Sequence, residues 1–470
     1  MQLLGTAYDI DLLSELSNGV LSQNSPELFL TVFQHKNSPM VISKIKDKLS
    51  NPYIRNAGWL GAAELANRFF RLGTTVVLAR TFTPQDYGLV AIIITVNEFA
   101  NAFVGKAGIS SKLVQAAEED LDVLCNTAYW MSWIASGAIF LLQCLASVLI
   151  GLFYQDHRII LPICVLALGH FVIPLFTVHI SLIERENRLK IIALCNATQV
   201  FLMNILTISL ALLGLGIWSI VLSMILTVPV WAIIGQLNCS WRVGKSFTLY
   251  RWKEIAKYAV NIVGSDLLVK LRDNLDYLLV GRFLGIEMLG VYFFAFNAGL
   301  GISLSIINSL TWSLWPHLCD ARSNLSDLKI RYYDGLKTIA TVIIPLVFLQ
   351  SSLAPFYVPI VFGDRWVFAI PILITICLSA IPRPFFIATT HLLNAVDKTN
   401  SSFRWSIGLT FLYLFLLLVA VQYNIFVVAL SVLISQFLFT PVYMLWARRN
   451  VFYTVASQSC ETHDENWPLR

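Results

Sequence analysis

The chain has 470 residues, of which 57% are hydrophobic and 13% charged, with a mean hydropathy of +0.70 and a formal net charge of +5. Soluble globular proteins carry about 25% charged residues, so this composition excludes the soluble classes and reads as an integral membrane protein. The modest positive balance calls for no nucleic acid, because basic cytoplasmic loops alone produce it.

The first 39 residues are mixed polar and apolar (MQLLGTAYDIDLLSELSNGV at their start) and contain neither an apolar signal core nor a small-residue cleavage site. Met40 then opens a basic stretch, MVISKIKDKLSNPYIRN. Residues 1–39 are expected to be a dispensable extension, or an artefact of start-codon choice, within a cytoplasmic leader, 1–50. Beyond it, apolar runs of about 20 residues, the length of a hydrocarbon core, predict twelve helices at 57–79, 87–109, 126–153, 159–182, 191–213, 217–238, 255–280, 288–312, 332–356, 368–392, 405–422 and 426–446. These divide into an N-terminal six-helix lobe (51–240), a C-terminal six-helix lobe (251–447) and a tail (448–470).

Orientation follows from the connections. Alternate segments hold Lys44, Lys46, Lys48 and Arg55, then Lys112, then Arg185, Arg188 and Lys190, and so on to Arg448 and Arg449. The intervening segments hold only Arg80, Arg158, Arg282 and Arg365. Basic loops stay inside, so both termini are expected in the cytoplasm. The outer connections are a few residues each, too short for a catalytic domain, and no Ser/His/Asp or metal-ligand spacing appears. A membrane enzyme is therefore not expected. The eight cysteines are scattered without a CxxC pair. They read as small hydrophobes, with neither a disulfide framework nor a metal site.

Two stretches resemble each other. ELANRFFRLGTTVVLARTFTPQDYG begins at Glu64, and DLLVKLRDNLDYLLVGRFLGIEMLG begins at Asp266. Glu64 aligns with Asp266, Arg68 with Lys270, Arg80 with Arg282 and Gly88 with Gly290, each 202 positions apart (266 minus 64, 290 minus 88). A looser echo places His179 opposite His391. Because six helices is an even number, duplication keeps both halves in the same orientation, related by an axis along the membrane normal.

These aligned charges lie where lipid forbids them. Arg68 stands roughly 16 Å along its helix from Ala57 at 1.5 Å per residue, near the midplane. An exposed base at that depth costs about 2.5–3.5 kcal/mol on the insertion scale. The charges must face protein or water. Glu64, Arg68 and Arg71 share a face, as do Asp266, Lys270 and Asp273, with Arg272 and Asp276 forming a second i,i+4 pair. Two readings stand side by side. In one, these are internal ion pairs, with Glu64, Asp266, Asp273 and Asp276 as structural partners or holders of a coupling cation, Na+ or H+. In the other, Arg68, Arg71, Lys270, Arg272, Arg383 and Asn97 line a wet chamber that takes an anionic headgroup, a task suited to bidentate guanidinium groups. Arg383 lies in IPRPF, whose prolines should break the tenth helix. Glu98, Asn101 and Lys106 accompany Asn97 on the second helix. His170, His179, His317 and His391 are candidate proton carriers or helix–helix hydrogen bonders. No resident cofactor is expected.

The motif LARTFTPQDYGLVAI resembles the signature at the end of the first helix in polysaccharide repeat-unit flippases of the Wzx type. These belong to the MOP exporter superfamily with the MATE multidrug exporters and the lipid II flippases. Further likenesses follow in order: SKLVQ with NTAYW, LDYLLVGRFLGIEMLGVY, LWPHL and VPIVFGDRW. The resemblance implies an all-α membrane fold of two six-helix lobes around a cavity that opens to each face in turn. It implies a polyprenyl-pyrophosphate-linked oligosaccharide as substrate, moved across the inner membrane for capsule, exopolysaccharide or lipopolysaccharide assembly, with the bilayer and other assembly proteins as partners. The alternative within the superfamily is an ion-coupled multidrug exporter.

Overall fold

The computed structural model describes residues 70–453 apart from 105–109, 111 and 245–246. They belong to one compact unit, Ala66–Arg470. The expected leader, Glu64, Arg68 and Lys106 lie outside the described residues.

Every regular element among the described residues is helical. This follows from the apolar runs, since a backbone in hydrocarbon must satisfy its own hydrogen bonds. In chain order the helices are α1 (70–81), α2 (Pro84–Val104), α3 (Leu121–Tyr154), α4 (Ile160–Ala167), α5 (Pro174–Arg185), α6 (Leu189–Leu212), α7 (Trp218–Thr227) and α8 (Pro229–Asn238). The second half continues with α9 (Trp252–Phe283), α10 (Ile286–Asp320), α11 (Leu325–Tyr357), α12 (Ile370–Ser379), α13 (Arg383–Ala395), α14 (Thr399–Ala420) and α15 (Ile425–Arg448). Seven helices among the described residues are long and apolar enough to cross a bilayer, or nine if two bent pairs each count as one span. The protein is thus a multi-pass membrane protein.

The bends have a sequence cause. Proline tolerates the first turn of a helix, where its missing N–H has no partner to lose. Pro174, Pro229, Pro371 and Pro384 each sit in the first two positions of a helix. The break at Pro174 turns the chain by 51°. As IPRPF implies, the tenth span is interrupted between Ser379 and Arg383.

Polar side chains tie the helices where lipid supplies no hydrophobic drive between them. Thr74 Oγ1 donates to Asn204 Oδ1 at 2.7 Å, joining α1 to α6. Thr207 and Ser223 pair at 2.6 Å between α6 and α7. His170 Nε2 and Gln143 Oε1 lie 2.7 Å apart and buried, so the imidazole is occupied in holding α3 to the fourth span. Gln143→Leu would leave the ring nitrogen without that partner, an omission worth about 1–3 kcal/mol. The expected result is a lower melting temperature in detergent, with His170→Leu added to the same chain recovering part of the loss.

Candidate functional site

Of the charges singled out by the repeat, Lys270 lies on the seam between α2 of the first half and α9 of the second. Lys270 Nζ donates to Glu98 Oε2 at 2.9 Å, and each side chain is 40% exposed. One turn along, Thr95 Oγ1 donates to Asn274 Oδ1 at 3.3 Å, while Asn274 Nδ2 donates to the Lys270 carbonyl at 2.9 Å. Two polar rungs therefore bridge the halves. The sequence placed Asp266 one turn from Lys270 on a shared face. In the structure the ammonium instead reaches across to the other half, and Asp266 is exposed. Asn97, beside Glu98, is buried on α2.

A second correction concerns Asp276. The i,i+4 spacing suggested Arg272 as its partner, but Arg272 Nε lies 3.6 Å from Asp273 Oδ1. Asp276 faces inward, 5% exposed; Oδ1 accepts from the Tyr277 backbone N–H at 2.9 Å and Oδ2 from the Tyr292 hydroxyl at 2.8 Å. The physical reason is rotation. Four residues advance a helix by slightly more than a full turn, and here that difference puts Asp276 in the packed interior while Arg272 stays half-exposed. Arg383 is half-buried at the start of α13. Arg71 is exposed on α1. On α9 the structure thus pairs Arg272 with Asp273, turns Asp276 inward and sends Lys270 to Glu98.

Above this seam the end predicted to face outward is sealed. The α2 and α10 backbones cross at Gly88 and Gly290. A Cβ on Gly88 would lie 1.9 Å from the Ile286 carbonyl oxygen, and one on Gly290 would lie 1.7 Å from that of Pro84. Pro84 and Ile286 are themselves 202 positions apart, so the crossing obeys the repeat. Glycine permits such contact, in which Cα–H groups face carbonyl oxygens. The two aligned arginines brace the same end. Arg80 donates from Nε to the Val361 carbonyl at 3.0 Å and from Nη2 to that of Ile360 at 2.5 Å. Arg282 lies over the Phe153 ring, 5.0 Å from its centroid, a cation–π contact. Each arginine thus grips the opposite half. A fully buried Trp366 fills the centre: it stacks on Phe294 at 3.9 Å, meets Tyr87 edge-on at 5.1 Å, and donates from Nε1 to the Ala79 carbonyl at 2.8 Å. At the loop before the fourth span, Asp156 accepts from the Arg158 backbone N–H at 2.9 Å and forms an ion pair with its guanidinium. Arg158 holds that carboxyl below the usual carboxylate range, so this loop tie is lost only as pH falls through the lowered value.

Two features escaped the sequence reading. Glu98 was visible as an acid on an apolar helix, but its partner lies 172 positions away (270 minus 98). Trp366 stood within the FGDRW motif, yet nothing local says that it closes the far half. Among the described residues no group of three or more His, Cys, Asp or Glu could hold a metal ion.

Comparison with known proteins agrees with this architecture. A teichuronic acid biosynthesis protein of Bacillus subtilis (strain 168), TuaB, is 25% identical over 329 residues, covering 67% of this chain and 65% of that protein. The chain therefore spans slightly less than two thirds of that relative. The lipopolysaccharide biosynthesis protein WzxC of Escherichia coli (strain K12) is 23% identical over 372 residues, 77% of this chain and 73% of its own. Among solved structures, the lipid II flippase MurJ in an inward closed conformation superposes with a TM-score of 0.68 at 14% identity, over 88% of this chain and 94% of that one. An inward-facing MATE multidrug transporter of the MOP superfamily gives 0.67 at 16%, over 82% and 94%. The fold is that of the MATE and MOP transporters. Residues 77–371 match the polysaccharide biosynthesis protein family, and the chain belongs to it.

Proposed function

We propose that the protein is a flippase of the inner membrane that carries a polyprenyl-pyrophosphate-linked oligosaccharide from the cytoplasmic to the outer leaflet by alternating access, without making or breaking a covalent bond. The observation that carries this reading is the Lys270–Glu98 pair. It joins the two halves, lies beneath a sealed outer end, and remains 40% exposed on both sides. A pair so exposed is worth at most about 1 kcal/mol, so an incoming pyrophosphate can replace Glu98 on the ammonium. The exchange removes one rung between α2 and α9 and frees the halves to part. Arg272, Arg383, Asn97 and Arg71 supply further donors to the phosphates, and Arg68 is assigned to the same set from the repeat. The better match to an inward-facing MATE transporter (0.67) than to an outward-facing one (0.55) accords with a closed outer end.

The same reading assigns Asp276 to ion coupling. A buried carboxylate whose two oxygens meet only uncharged donors favours gaining H+ or Na+ over standing alone. Asp276→Asn should hold its place beside Tyr292 and uncouple transport, seen as export that no longer responds to collapse of the proton or sodium gradient. Unchanged gradient dependence would refute the assignment.

The reading as a whole is tested in a deletion strain. Loss of the protein should cause lipid-linked oligosaccharide to accumulate on the cytoplasmic leaflet, detected by mass spectrometry, with surface polymer lost. Lys270→Ala, present in the membrane at normal abundance, should fail to reverse either change; full export would remove the basis of the proposal.

A further inference from the structure

The two halves differ where Trp312 and Trp315 meet their counterparts in the repeat. At the inner ends of α10 and α13, Trp312, Trp315, His391 and Asn394 line a cavity of about 330 Å3. Trp312 is 79% exposed and Trp315 36%. The His391 ring lies 5.3 Å from that of Trp315. At the positions 202 residues earlier the first half has Ser110 and Leu113, both buried, with Ser110 accepting from Ser181 at 2.8 Å. There, small and packed side chains stand in place of an aromatic opening. The fold therefore does not require the tryptophans.

Two of the lining residues also carry unmet polar atoms. His391 Nε2 and Asn394 Oδ1 are buried without a partner in the protein. Such atoms carry a penalty of about 1–3 kcal/mol each unless something bonds them. The chemistry of the lining selects the occupant. A cationic headgroup would call for a carboxylate, and the described residues of the lining include none. An acyl chain would leave both polar atoms unsatisfied, whereas a hydroxyl can bond either side chain once its ring or amide turns over. Neutral imidazole and carboxamide both donate and accept, which matches a hydroxyl. The apolar face of an indole suits the C–H face of a ring. The volume lies at the lower end of ligand pockets, about 300–1,000 Å3, enough to seat one ring.

We propose that this pocket binds a single pyranose ring of the glycan, Trp312 stacking on its C–H face and His391 and Asn394 bonding its hydroxyls. The proposal rests on the flippase reading and assigns glycan contact to α10 and α13, apart from the headgroup seam on α9.

The full chain in lipid nanodiscs is titrated with the methyl glycosides of glucose, galactose, mannose and N-acetylglucosamine, read by saturation-transfer NMR, with cyclohexanol as the apolar control. At least one glycoside should receive saturation on its ring C–H protons while cyclohexanol receives little. Trp312→Ala should abolish the transfer, Trp312→Phe should retain it within about threefold, and Asn394→Ala should weaken it about tenfold. No transfer to any of the four glycosides, equal transfer to cyclohexanol, or transfer undiminished by Trp312→Ala would overturn the proposal. Lys270→Ala separates the two readings. Glycoside binding kept while that variant exports normally would remove the headgroup seam alone. Absent binding while that variant blocks export would remove the pocket alone.

Discussion

Gly290→Ala is expected to abolish transport while leaving the protein in the membrane. The added carbon would meet the Pro84 carbonyl oxygen at 1.7 Å and its carbon at 2.7 Å. These are backbone atoms, which cannot rotate aside. To restore a C···O separation of about 3.3 Å, α2 and α10 must part by roughly 1.5 Å. Overpacking of this kind costs about 1–3 kcal/mol or more. At about 1.4 kcal/mol per factor of ten, the sealed state should lose on the order of ten- to a hundredfold in population. Gly88→Ala should act alike, through the Ile286 carbonyl. Gly137→Ala, with no atom within 4 Å of the new carbon, should be neutral. The readout is labelling of Ala91→Cys, a site fully buried one turn below the crossing, by a membrane-impermeant maleimide, against the same chain without that cysteine. Rapid labelling only with the glycine replaced is the expected result. Slow labelling with normal export would show that the crossing does not control the outer seal.

The second large effect concerns the pair that joins the halves. Glu98→Lys and Lys270→Glu each set two like charges together in the span. An uncompensated charge there costs about 2.5–3.5 kcal/mol on the insertion scale, so both abundance and export should fall, export by at least about tenfold. Combining the two substitutions restores the pair with its polarity reversed. Abundance should recover on a quantitative immunoblot, whereas export should not, because the ammonium now sits on α2, away from Arg272 and the rest of α9. Lys270→Arg keeps the charge in place and should retain most activity. If the swapped pair exported polymer normally, Lys270 and Glu98 would be a structural tie and no more.

Much of this fold can be read from sequence because membrane helices are set by local composition. The runs after Arg71 return as helices close to their expected positions, and the IPRPF break falls between Ser379 and Arg383. The repeat was legible for the same reason: Gly88 and Gly290, or Arg80 and Arg282, align by counting. Counting does not reveal that the two glycines touch, or that each arginine reaches into the opposite half. Trp312 gave no signal, and Trp315 stood out only as part of LWPHL, since exposed tryptophans near a helix end are ordinary in membrane proteins. They matter only because His391 and Asn394, on a different helix, close a cavity with them.

By itself, then, the sequence determined the membrane class, the helical elements, their proline breaks and the duplicated pattern of charges. These depend on hydropathy and spacing along one strand of chain. The tertiary structure decided the partners: Lys270 on Glu98 rather than one turn back, Asp276 on Tyr292 rather than Arg272, and Trp366 at the centre of the seal. Ion pairs and hydrogen bonds fall off within a few ångströms, and which groups come that close is set by how distant helices pack.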